Sequence, residues 1–129
     1  MMKDIENRND IVKVLRSFYQ KAMPDGLIGH FFTEVVQLDI EEHVPVIADF
    51  WEAVLFDRTT YRKNVMEVHR NIDQISAIKK EHLDHWVQLF VQTVDENFKG
   101  TKAQLAKERA QSIATLMNFK FNHKGIGKI

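Results

Sequence analysis

The sequence contains no cysteine. That removes disulfide scaffolds, zinc knuckles, iron–sulfur clusters, thiol nucleophiles and any cofactor attached through C-x-x-C-H. A metal centre has to be built from His, carboxylate or Tyr. Net charge is also missing, with 18 Lys and Arg against 18 Asp and Glu. No basic excess points to nucleic acid or to an anionic membrane. The longest purely apolar run is the four residues Ala53 to Phe56, far short of the ~20 that a membrane span needs. Lys3, Asp4, Glu6, Arg8 and Asp10 interrupt the apolar core that an export signal requires. These absences predict a soluble, cytoplasmic protein without membrane or nucleic-acid partners.

What is present is enough for a core: 129 residues, 44% apolar and 28% charged. The length predicts one domain over 1–129, with an ordered core over about 10–119 and a basic tail at 120–129 that frays. Apolar residues recur at helical steps. Ile11, Leu15, Phe18 and Ala22 form one stripe, stopped by Pro24-Asp25-Gly26. Asp39-Ile40-Glu41-Glu42 reads as a capping box for a helix to about Phe56, with His43, Ile47, Phe50, Trp51 and Val54 on its stripe. A short, weakly patterned helix is expected to end near His69. Ser76 to Phe98 carries the clearest period, through Leu83, Trp86, Val87, Phe90 and Val94. Gly100 ends it, and Thr101-x-x-Gln104 caps a last helix with Leu105, Ala106, Ile113, Ala114, Leu116 and Met117 inward. No stretch alternates as a strand does. The fold class is all-α.

Histidines are the residues best able to carry chemistry here. His43 shares its apolar stripe, where a core histidine bonded to a carbonyl is the plain reading and a cavity-facing one the functional reading. His69, taken alone, reads as a surface or capping residue. His82 and His85 have a spacing that can bind a metal ion, but no third ligand has matching spacing. Tyr19 and Trp86 place polar handles on apolar faces. Together with His43 they suggest a polar pocket in an apolar shell, suited to a small polar ligand. No G-x-S-x-G, H-E-x-x-H or phosphate-cradling glycine loop occurs.

From about Ile11 to Ala114 the residues resemble those of the group III (P-type) truncated haemoglobins. Phe18-Tyr19 resembles the family's Phe-Tyr, and His43-Val44-Pro45-Val46-Ile47-Ala48-Asp49-Phe50-Trp51 its H-L-P-x-[ML]-x-[DN]-F-W run. Tyr61 to His69 resembles Y-x-G-N-P-x-x-x-H, with Lys63 and Val65 in place of Gly and Pro. Glu81 to Trp86 resembles E-H-F-x-R-W, with Leu83 for Phe and His85 for Arg. Thr93 to Phe98 continues the match, and Lys107 to Ala114 is similar to the R-A-x-x-I-A of the last helix. There is no Gly-Gly pair, which other truncated haemoglobin groups carry at two junctions.

The resemblance implies a truncated globin fold, a two-over-two helical sandwich, around non-covalent haem b. It implies His69 as the proximal iron ligand and Tyr19, His43 and Trp86 on the distal side. Ile47, Phe50, Leu83 and Val87 would line the haem, and Arg62, Lys63 and Arg70 would meet its propionates. The implied function is binding or transport of O2 and related diatomic ligands, NO and CO, extending to detoxification of NO or peroxide with an electron-donor reductase. A haem-free globin-like interaction or sensor module is the alternative, and a small metal protein using His82 and His85 a third.

Overall fold

The computed structural model describes residues 2–57 and 65–122. Among them run five α-helices, α1 (Arg8–Ala22), α2 (Ile40–Phe56), α3 (Val65–Ile75), α4 (Lys80–Asn97) and α5 (Thr101–Asn122), with a π-helical turn at Phe31–Val35. The architecture is all-α. None of these helices is long and apolar enough to cross a membrane.

α1 packs on α2 and α4, and α4 packs on α5. The α1–α2 contact is pinned on its outside by Arg8, which reaches Asp49 at 2.7 Å, Glu52, and the Pro45 carbonyl at 3.0 Å. Midway along α1, Arg16 forms a two-pronged pair with Glu41, both bonds 2.9 Å. α5 approaches α4 closely because its inner face is built of small residues, Ala103, Ala106, Ala110 and Ala114, before Met117 and Phe121. Leu116, expected to point inward, is instead 46% exposed, since it lies off that stripe.

Helix ends depart from the sequence reading where distant groups set them. α3 continues past His69 to Ile75, and buried Asp73 then accepts the Ile78 N–H at 2.8 Å. α4 starts at Lys80 rather than Ser76, because His82 folds back so that its Nδ1 accepts the Lys79 N–H at 2.9 Å. The amides opening α5 are capped by Asp4, which accepts from Lys102 at 2.9 Å and Ala103 at 2.8 Å. Gly100 is required there: its φ is +149°, and a Cβ would stand 2.5 Å from Asp4 Cγ. α5 runs on through Lys120 to Asn122, with Phe121 buried; the rest of the basic tail, 123–129, lies outside the described residues.

The corner after α1 folds back tightly. A Cβ on Gly29 would meet the Met23 carbonyl oxygen at 2.4 Å, so only glycine permits that approach. The corner delivers Phe31, which is buried, and Phe32 to the core.

Candidate functional site

α2 turns two different faces to its surroundings. Val44, Ala48, Trp51 and Leu55 are buried against α1 and the core. His43, Ile47, Phe50 and Val54, one position round the helix in each turn, are only half-buried. This second face is the stripe read from the sequence, and it flanks the core rather than forming it. Across from it, α3 touches the π turn and α5, yet among the described residues none of its Cα atoms comes within 8 Å of one in α2. α2 thus carries a half-covered apolar strip, and α3 stands apart from it.

Tyr19 lies in the last turn of α1, 7% exposed, and is in edge contact with His43 (centroids 5.5 Å apart), Phe18 (5.2 Å) and Phe32 (5.6 Å). Trp86, half-buried on α4, meets Phe18 edge-on at 6.3 Å and stacks on Phe90 at 6.0 Å. Phe18 is therefore the wall shared by Tyr19 and Trp86. The structure puts Tyr19 and His43 in direct contact and places Trp86 one ring away.

Burial pushes the Tyr19 hydroxyl well above its ordinary range, so it stays a neutral O–H donor. Among the described residues neither that hydroxyl nor the Trp86 indole N–H has a hydrogen-bond partner. Among the described residues no side-chain nitrogen or oxygen that is fully shut off from solvent lacks one. The Tyr19 oxygen accordingly opens on accessible space, although its ring is buried. A donor in that state suits a polar ligand entering from the α2 side.

His69 is half-buried on α3, with Ile72 half-buried one turn later and Arg70 exposed. Its imidazole can supply one nitrogen to a metal. Leu83 and Val87 are buried on α4. Val87 also borders a surface groove of about 800 Å³ that is shared with Asp84, Val91 and Gln111. Arg62 and Lys63 lie outside the described residues. His82 and His85 do not form a metal site: His82 caps α4, and His85 bonds Asp25 at 2.6 Å. Among the described residues no three His, Cys, Asp or Glu side chains gather as metal ligands.

Two features escaped the sequence reading. Phe32 seals the side of Tyr19, and its signal was the apolar patch Leu27 to Phe32, which carried no helical period. The Asp25–His85 bond joins residues 60 apart and leaves no local pattern. The arrangement fits a flat, apolar, single-histidine cofactor: a half-covered strip on α2, a histidine on the helix standing apart, and O–H and N–H donors that among the described residues have no internal partners.

No family model matches the chain. The group 3 truncated hemoglobin ctb of Campylobacter jejuni is 24% identical over 112 residues, covering 84% of this chain and 86% of that protein. The crystal structure of a group III truncated hemoglobin from Campylobacter jejuni superimposes with a TM-score of 0.82 at 22% identity, over 94% of this chain and 95% of that one. The chain has the truncated globin fold, and its resemblance to the group III truncated haemoglobins extends over most of its length.

Proposed function

We propose that the chain binds haem b without a covalent link, and through it O2 and related diatomic ligands. The observation that carries this reading is the Tyr19 hydroxyl, protonated, set beside His43, open to accessible space although its ring is buried, and with no partner among the described residues. Haem, when bound, supplies a redox-active iron with a free coordination position. The chain supplies the rest. His69 would supply an imidazole nitrogen to the iron from α3, and with no cysteine in the sequence that bond would retain the cofactor. Ile47 and Phe50, half-buried on α2, would offer apolar surface to the ring, with Leu83 and Val87 in the apolar layer of α4, and exposed Arg70 would meet a propionate.

On the distal side Tyr19 and Trp86 donate hydrogen bonds to a polarised diatomic ligand and slow its departure. His43, half-buried, packs its ring edge-on against that of Tyr19 and holds the ring in place. Such donors also favour negative charge developing on bound oxygen atoms. Turnover of NO or peroxide, fed by an electron-donor reductase, is the enzymatic extension of the same site. Its test is a rate well above that of free haemin under the same conditions. For binding itself, a full-length chain purified with haem should show a Soret band whose ferrous form shifts with CO; a chain that holds no haem even after reconstitution supports the haem-free module instead.

A further inference from the structure

The helices that carry Tyr19 and Trp86 are held at a fixed spacing by more than Phe18. His85, the residue before Trp86, places Nε2 2.6 Å from Oδ2 of Asp25 in the corner just past α1. Their side chains are 28% and 17% exposed, so this is a largely covered bond. Oδ1 of the same carboxylate accepts the N–H groups of Leu27 at 2.8 Å and Ile28 at 3.1 Å. Burial alone would raise the Asp25 carboxyl; the bonds from His85 and the two amides outweigh it and hold the group below the usual carboxylate range. Asp25 is therefore an ionised acceptor and the His85 N–H the donor. Charge-assisted bonds of this kind are short and directional. At the other side of the contact, Lys21 reaches Thr93 Oγ1 at 3.2 Å and the Glu96 carboxylate. Along α4, Trp86 and Phe90 lie between these two braces.

We propose that His85 and Asp25 are positioning residues of the distal pocket. Their bond ties the corner six residues after Tyr19 to the turn of α4 that carries Trp86, and so sets where the two donors stand relative to a bound diatomic ligand. The proposal rests on the reading that these donors face the ligand. At this position the motif E-H-F-x-R-W has Arg where this chain has His85.

The test uses the full-length, haem-loaded chain in its ferrous CO form, comparing His85→Leu, Asp25→Ser and the double variant. Serine keeps an oxygen for the Leu27 and Ile28 amides but is too short to reach His85. Each single variant should shift and broaden the C–O stretching band and speed CO dissociation about threefold to tenfold. The double variant should do no more than the larger single one, because all three break the same bond. His85→Gln, which keeps an N–H donor, should restore most of the original band, and it carries the test if the leucine variant does not fold. NMR of the chain without cofactor gives a second readout: the Trp86 indole resonance shifts and broadens in both single variants, while that of Trp51 does not. Band and rates that stay at the parent values while only the melting temperature falls, or effects that add in the double variant, overturn the proposal. Tyr19→Phe and Trp86→Phe run alongside. If these leave the band unchanged, the donor reading fails and takes the proposal with it; if they change it and His85→Leu does not, the proposal alone fails.

Discussion

Tyr19 and Trp51 are both buried aromatics, and they are expected to answer substitution in opposite ways. Trp51 stacks on Phe90 at 5.0 Å in the centre of the core, so Trp51→Ala leaves a cavity and should cost about 3–5 kcal/mol in chemical denaturation. Tyr19→Phe removes only an oxygen that bonds nothing among the described residues, so stability should hold or rise slightly. The ligand-bound form should pay instead: dissociation of O2 followed by stopped flow is expected to quicken about threefold to tenfold. A variant that loses stability and keeps its dissociation rate would show that the hydroxyl serves the core. At this scale the sequence singles out Tyr19, His43 and Trp86 as polar groups on apolar stripes, and the structure sets Tyr19 against His43 with Trp86 one ring away. The sequence could not reveal that Phe18 separates Tyr19 from Trp86, nor that Asp25 finds His85. Those contacts are made by the crossing of two helices, which no local spacing encodes.

Among the elements, helix bodies were legible and helix ends were not. The apolar period marks where a helix buries its face, as in α2, whose Asp39 cap bonds the Glu41 N–H at 3.0 Å as its sequence suggests. α5 is different, since its opening amides are satisfied by Asp4, nearly a hundred residues away. Asp4→Ala should destabilise the fold by about 1 kcal/mol. Burial would raise the Asp4 carboxyl, but the amides of Lys102, Ala103 and Ile5 outweigh it and hold it low. A depressed carboxyl contributes stability that is present above the ordinary value of about 3.9 and lost as pH falls through its lower folded value. The difference between parent and Asp4→Ala melting temperatures should therefore shrink below about pH 4. A difference that persists unchanged in acid would assign the loss to packing.

The α3–α4 corner has its own acid sensitivity. His82 accepts the Lys79 N–H only as neutral imidazole, and burial, assisted by nearby His30 and Lys79 against Glu81, lowers its proton affinity. That cap is present above the ordinary histidine value of about 6.5 and lost as pH falls through the lower folded value. Amide exchange at Lys79, corrected for its intrinsic pH dependence, should lose protection in that window while amides in mid-α4 keep theirs.

For the whole molecule, the decisive feature is the separation of α2 from α3. α1, α2, α4 and α5 pack on one another, whereas among the described residues α3 leans only on the π turn and α5. An element with so few neighbours opens at low free-energy cost. Hydrogen exchange of the haem-free chain should therefore be fastest in α3 among the helices, and haem should protect α3 more than α4 while raising the melting temperature. Equal protection of all helices would place the cofactor elsewhere. The all-α class and the order of helices were readable from periodicity. The gap was not, because a strip facing a cofactor and a strip facing a core have the same apolar pattern; only the half-exposure of His43, Ile47, Phe50 and Val54 tells them apart.

The central claim, that haem is held between these helices by His69, is tested most directly by one absorption measurement on the haem-reconstituted chain and its His69→Ala variant, ferric and then ferrous with and without CO. The parent should show a Soret band, with a ferrous spectrum characteristic of histidine ligation and a CO-dependent shift. The variant should show haem loss or a changed ferrous spectrum, restored by added imidazole. Identical spectra from parent and variant, or no haem retained by either, would contradict it.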